Sequence, residues 1–323
     1  MHVSVTVRSV LRTIAALLAA AGLACAAAPA AEELQAISPG VTVLGVHLGG
    51  LTAQPAGSAI NARIARPIVI ITGTKRIRIT PARLGAAASV DAAVRSALSA
   101  TPASKIALPI RYSQQKVAAF VAALAKQTYR PPRNAALVGA NATGPIFRHE
   151  HAGVAVQQET MRAAIGHELT TGSRAPLALP RRPVPARRTV ANYGPVIVVT
   201  RGVNTLRLYE GAHLVRTFPV ATGQAIYPTP AGLFRIEDKQ LNPWWYPPTY
   251  DAWARGLKPV PPGPSNPLGT RWMGLTAPGV GIHGTDAETS IGYSVSHGCI
   301  RMHVPDAEWL FTRVHVGTQV VIL

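Results

Sequence analysis

Between Gly279 and Met302 the chain reads GVGIHGTDAETSIGYSVSHGCIRM, which brings His283, His297, Cys299 and Arg301 into one short span. A thiol attacks a carbonyl usefully as its thiolate, and a nearby imidazole can lower its pKa from about 8.5 into the ~3.5–7.5 range. Cys299 therefore calls for a base beside it. His283 and His297 both qualify by type, and spacing alone does not choose between them. Gly284 and Gly298, next to the two histidines, let a substrate backbone approach closely. The chemistry open to such a set is covalent acyl transfer through sulfur. A competing reading makes His283, His297, Cys299 and His303 four zinc ligands. Their His-x-Cys-x-x-x-His spacing matches no common zinc pattern, and a closed structural site has no use for the glycines, so no metal is expected. A buried structural thiol is disfavoured because Ser, His, Gly and Arg surround Cys299 in place of an apolar run.

The setting of this thiol is written at the other end of the chain. Arg8 and Arg12 precede an apolar run from Ile14 to Ala28, and Ala28-Pro29-Ala30 is a small-residue pattern of the kind export peptidases cut. Residues 1–30 read as a cleaved signal peptide. The run is shorter than the ~18–20 residues of a spanning helix, which disfavours an uncleaved anchor. Gly22 stands where lipoprotein signals usually carry Leu, which disfavours a lipid anchor at Cys25. Cleavage leaves Cys299 as the one thiol, unpaired in an oxidising compartment, and that asks for a chemical reason.

The elements that must carry these residues fall in two halves. From Thr52 to Ile64 the pattern predicts a helix. Ile68–Thr72 and Arg76–Thr80 form a hairpin across Gly73-Thr74, and Ser89 caps a helix reaching Leu98. Ser113 caps another, with Val117, Phe120, Val121 and Leu124 on one face. Pro145–Val156 is extended and Gln157–Glu168 helical, so this half is α+β, assigned to residues 34–171. His149 and His151 flank Glu150 on an extended segment, too few ligands for a metal site. Residues 172–192, GSRAPLALPRRPVPARRTVAN, carry five arginines, four prolines and no acid, and read as a stiff extended linker. From residue 193 to 323 β-formers dominate, with strands at Val196–Thr200, Leu206–Tyr209 and Leu214–Ala221. The long stretch Asp238–Thr270 is crowded with Pro, Gly and aromatics. Trp244, Trp245, Tyr246, Tyr250 and Trp253 argue that it covers something.

Composition sets the outer bounds. The 323 residues suffice for two ordinary domains, and 48% hydrophobic with 14% charged residues describes a chain that buries a core. A formal charge of +18 favours polyanions in general. No zinc finger, RNP-like strand or basic helix with heptads accompanies it, so no nucleic-acid partner is expected. An anionic cell-wall polymer fits the charge equally well.

His283-Gly284-Thr285 followed by Ser296-His297-Gly298-Cys299-Ile300-Arg301 resembles the catalytic signature of the L,D-transpeptidases (YkuD-type), and the likeness extends over Tyr193–Leu323. Thr229-Pro230-Ala231-Gly232 and Asn266-Pro267-Leu268-Gly269-Thr270-Arg271 follow the order that family shows. Arg301 departs from members that carry Asn there. The half before it, through Gly49-Gly50-Leu51-Thr52, Arg83-Leu84-Gly85 and Val90-Asp91-Ala92-Ala93, resembles the peptidoglycan-binding domains often found ahead of such enzymes.

The resemblance implies a mainly β, sandwich-like catalytic domain with short helices. It also implies an enzyme of cell-wall biogenesis that acts on peptidoglycan stem peptides. Cys299 would be the nucleophile, His283 its general base, the Gly284 carbonyl the orienter of that imidazole, and His297 a helper. The Gly298 and Cys299 N–H groups would hold the oxyanion. Substrate contacts would come from Arg301, Tyr293, Trp245, Tyr246 and Trp272, with the aromatic stretch as a lid. A thioester conserves acyl-transfer potential, so no cofactor is needed. β-Lactams of the carbapenem type are the implied inhibitors, and a shift of acceptor from amine to water would make the same site an L,D-carboxypeptidase. A non-catalytic wall-binding protein on this fold would be expected to lack the nucleophile.

Overall fold

The computed structural model describes residues 35–249 and 251–323. The expected signal peptide lies outside the described residues, as does Cys25. Among the described residues no helix is long and apolar enough to cross a membrane. Contacts divide the chain into two compact units, one ending at Ala65 and resuming over Ala88–Ile110, the other comprising Arg66–Ala87 and Arg111–Leu323.

In the first unit, helices α1 (Ala53–Ala65) and α2 (Val90–Leu98) close over Val41, Val43, Leu48, Ile60, Val94 and Ala97. Asp91 in the first turn of α2 and Arg95 in its last suit the helix dipole. Ser89 takes the N-cap position, yet its hydroxyl makes no capping bond.

The second unit begins with the anticipated hairpin, Ile68–Thr72 paired with Lys75–Ile79. Helices α3 (Gln114–Thr128) and α4 (Gln158–Thr171) pack on it through Val117, Val121, Leu124, Met161, Ile165 and Leu169. Ser113 caps α3 through its hydroxyl, which accepts the Lys116 N–H at 3.2 Å.

The Pro/Arg stretch is extended, as its prolines require, but it is not free chain. Leu177–Ala178 lies parallel to Ile70–Ile71, and Arg181–Val184 pairs antiparallel with Gly153–Val156. Pro183 is tolerated because this two-stranded sheet leaves its nitrogen side without a ladder partner. Further on, the Arg188 carbonyl accepts the Ala135 N–H at 2.8 Å, and Asn134 Oδ1 takes the N–H groups of Arg187 and Arg188. The expected linker is thus built into the sheets and turns of this unit.

Beyond it the chain forms a mixed eight-stranded sheet. Its order is His213–Pro219, Thr205–Glu210, Pro195–Thr200, Gln319–Ile322, Gly232–Leu241, Arg271–Leu275, Gly281–Gly284 and Ile300–Met302. One face carries the main core, where Ile197, Leu206, Phe218, Ile236, Met273, Ile282, Ile300 and Met302 meet Ala307 and Leu310 of helix α5 (Val304–Phe311). Because side chains alternate along a strand, the opposite face presents Val196, Val198, Tyr209 and Val321. These are buried too. A hairpin of Ala136–Asn141 and Gly144–Arg148 covers them with Leu137 and Phe147, and Arg207 Nη1 donates to the Ala142 carbonyl at 2.7 Å. The first arm of that hairpin had no counterpart in the sequence reading.

Candidate active site

Three strands at the end of the sheet place the reactive groups. His283 sits between Trp272, its antiparallel partner, and Arg301, its parallel partner. The Trp272 ring lies near-stacked with the imidazole, centroids 5.8 Å apart, and extends over Gly281. A Cβ at Gly281 would stand 2.3 Å from that ring, so only glycine fits. Cys299 ends a bend entered through Gly298, whose φ of +113° suits a residue without a side chain.

His283 is buried, and its Nδ1 lies 2.5 Å from the Gly284 carbonyl oxygen. A carbonyl only accepts, so Nδ1 carries the proton and Nε2 keeps the lone pair. Burial pushes the imidazole pKa down to about 4, the bond to Gly284 works against this, and the Arg301 charge adds to it. The ring is therefore a neutral base near pH 7.

Cys299 Sγ lies 3.6 Å from the Gly279 carbonyl oxygen. Burial pushes the thiol up, while the Gly281 N–H and the Arg301 charge pull it down. The residue is only half-buried, so water in the cleft moderates the upward push. This corrects the expectation of a thiol held well below its ordinary value by imidazole. Burial thus works against the thiolate here, and the Arg301 charge works for it.

His297 stands apart from that pair in character. It is exposed, its ring lies flat on Trp253 with centroids 4.0 Å apart and planes at 14°, and Tyr227 approaches the ring at 5.1 Å. Burial and Arg301 lower its pKa, and Asp251 raises it.

All of these groups open on one cleft of about 1020 Å³. Cys299, His283, His297 and Arg301 line it together with Trp245, Tyr246, Trp253 and Trp272. The aromatic stretch is pinned by reciprocal backbone bonds between Trp245 and Val260 and by buried Asn266, whose amide donates to the carbonyls of Pro243, Val260 and Pro261.

Two expected site residues fall elsewhere. Tyr293 is exposed in the turn before Ser294 and does not line the cleft. The Gly298 N–H, expected to face an oxyanion, is directed at Ser296 Oγ, 3.2 Å away. Turn geometry decides this, and it is not readable from residue type.

Several supports escaped the sequence reading. Buried Thr229 donates from Oγ1 to the Gly298 carbonyl at 2.8 Å and accepts the Gly223 N–H at 2.8 Å. Buried Ser296 donates to the Cys299 carbonyl at 2.6 Å. Both hold the bend that presents the thiol, and the only signal for them was small hydroxyl residues in otherwise rigid motifs. Asp251 belongs to the same group, whereas Trp253 beside it was among the aromatics expected to cover something.

The L,D-transpeptidase catalytic domain (YkuD) matches residues 194–322, and the domain described as "Putative peptidoglycan binding domain" matches residues 77–177. "Putative L,D-transpeptidase YqjB" of Bacillus subtilis is 36% identical over 133 residues, 40% of this chain and 70% of that protein. "Putative L,D-transpeptidase YkuD" of Bacillus licheniformis is 39% identical over 126 residues, 39% of this chain and 64% of that protein. The chain thus spans less than two thirds of the length of the second relative. Among solved structures, the catalytic domain from E. faecium L,D-transpeptidase is 26% identical, covering 40% of this chain and 96% of that one, with a TM-score of 0.33. With Cys299 and His283 lining one cleft, a family match over residues 194–322, and a relative 36% identical of which 70% is covered, the chain belongs to the L,D-transpeptidase (YkuD) family.

Proposed function

We propose that this protein is a peptidoglycan L,D-transpeptidase that works outside the cytoplasmic membrane, in the cell wall or periplasm. The observation that supports it most is the convergence of Cys299, His283 and Arg301 on a cleft walled by aromatic side chains. Such walls suit an extended peptide, whose backbone hydrogen-bonds while its side chains lie on rings.

In this reading the stem peptide binds with its penultimate carbonyl at Cys299. His283 Nε2 takes the thiol proton as the S–C bond forms, and the Cys299 N–H stabilises the oxyanion. Collapse breaks the C–N bond, the imidazolium returns its proton to the departing D-amino acid, and a thioester remains. An acceptor amine then attacks the thioester carbonyl and gives up a proton to His283. The acyl group moves to nitrogen, the thiol reforms, and the wall gains a cross-link that supports cell shape. No nucleotide or other cofactor enters.

The remaining assignments follow from the same reading. Residues 1–30 act as a cleaved export signal. The half before the sheet, over residues 34–171, acts as a wall-binding module, and the arginines of 172–192 add attraction to anionic wall polymers. Roles as nucleophile, base, orienter and helper go to Cys299, His283, the Gly284 carbonyl and His297, while Arg301, Trp245, Tyr246 and Trp272 contact substrate.

Incubation of the purified protein with disaccharide-tetrapeptide, followed by mass spectrometry, tests the reading. Cross-linked dimers with loss of the terminal D-residue support it. Trimmed monomers alone would assign an L,D-carboxypeptidase, and unchanged substrate would remove the enzymatic reading. Retention on purified sacculi that falls with rising salt supports the charge contribution, since exposed charges are screened over about 8 Å at physiological ionic strength.

A further inference from the structure

The outer face of the eight-stranded sheet carries a second concavity whose residues are distinct from those lining the Cys299 cleft. Its volume is about 200 Å³, and Arg188, Arg235, His315, Tyr193 and Gln319 contribute to its walls. Register explains how they meet. Gln319 pairs with Val196 on one side and Arg235 on the other, so all three share the face that the 136–148 hairpin partly covers. The turn before Gln319 adds His315, and the connecting segment adds Arg188.

Each group is held in place by something other than a counter-charge. The Arg188 backbone is fixed at both its N–H and its carbonyl, and its guanidinium lies over the Tyr193 ring at 5.3 Å. Tyr193 in turn donates its hydroxyl to Gln319 Oε1 at 2.5 Å and accepts the Leu137 N–H. Arg235 is fixed in its strand, with its N–H donated to Thr276 Oγ1, and the His315 N–H is held by buried Thr318. No carboxylate lines the concavity, and none of the ion pairs among the described residues uses Arg188, Arg235 or His315. Two guanidinium forks and an imidazole around one small space gain from an anion with three or more acceptor oxygens.

We propose that this concavity binds a phosphate group, at a site separate from the acyl-transfer cleft. The ligand would tie the connecting segment to the sheet, because Arg188 comes from the one and Arg235 and His315 from the other.

The test uses the full chain and inorganic phosphate, titrated at constant ionic strength with sodium chloride. The ring proton signals of His315, assigned by His315→Asn, are followed by NMR. A saturable shift is expected, weakened about tenfold or more in Arg235→Gln and in Arg188→Gln, the loss equivalent to about one charge-assisted hydrogen bond. Both variants should keep the wild-type far-ultraviolet spectrum and thiol alkylation rate at Cys299, which separates this result from any failure of the proposed enzymatic reading. A shift that does not saturate, that acetate or chloride reproduces at equal concentration, or that persists in the Arg188→Gln/Arg235→Gln double variant would overturn the proposal.

Discussion

Arg301 stands opposite His283 in the parallel pairing of their strands, and its charge lowers the pKa of both His283 and Cys299. The two effects serve one end: they keep the imidazole deprotonated while making the thiol easier to ionise. Arg301→Gln should therefore raise both values. The alkylation rate of Cys299 by iodoacetamide at pH 7 should fall by up to about tenfold, one pKa unit being a factor of ten. Arg301→Lys should recover much of the rate, because the effect is that of a charge. A Gln variant with an unchanged pH–rate profile would remove Arg301 from this role.

His283 makes the acid limb of that profile distinctive. With its pKa near 4 in place of 6.5, the base should stay available as pH falls through 6, and acylation should decline only as pH approaches about 4. His283→Ala should cost on the order of 100–10,000-fold in acylation rate. His297→Ala should cost less, since that ring is exposed and stacked on Trp253. Stopped-flow acylation across pH 4–8 distinguishes these outcomes, and a greater loss in His297→Ala would reverse the assignment.

The same depressed value affects stability. Between pH 6.5 and about 4 the unfolded chain binds a proton at this histidine that the folded chain does not. Stability is then fully present above 6.5 and lost as pH falls toward 4, by up to about 3 kcal/mol. Urea unfolding of wild type and His283→Gln over this window should show a steeper pH dependence for wild type.

Cys299 should be the residue acylated by a carbapenem. Intact mass should show one adduct per chain, peptide mapping should place it at Cys299, and Cys299→Ala should show none. An adduct that survives in Cys299→Ala would place the nucleophile elsewhere.

The hairpin at 136–148 should be needed for the stability of the catalytic sheet. A chain beginning near Ala191 loses it and exposes Val196, Val198, Tyr209 and Val321, apolar groups worth roughly 1.5–3 kcal/mol each when fully buried. That chain should melt well below the full-length protein or aggregate. Phe147→Ala, which removes one partly buried contact, should cost about 1–2 kcal/mol. Equal melting temperatures for truncated and full-length protein would show that the sheet stands without its cover.

What the sequence determined by itself was the chemistry and its neighbourhood. Cysteine, histidine and glycine in the His283–Arg301 span confine the choice of reaction because few residue types ionise or form thioesters usefully. The hairpin at Gly73-Thr74, the Ser113 cap and the strands after residue 193 were also legible, since turn chemistry, capping and alternation act over a few residues. The continuous run Val196-Ile197-Val198-Val199 even requires both faces of its strand to be covered. It cannot name the cover, which lies about fifty residues earlier in the 136–148 hairpin, because side-chain packing between distant segments leaves no local pattern. Tertiary structure also decided the ionisation of the site. Burial of His283 lowers its pKa and the Ser296 hydroxyl engages the Gly298 N–H, and both depend on groups brought together only when the chain folds.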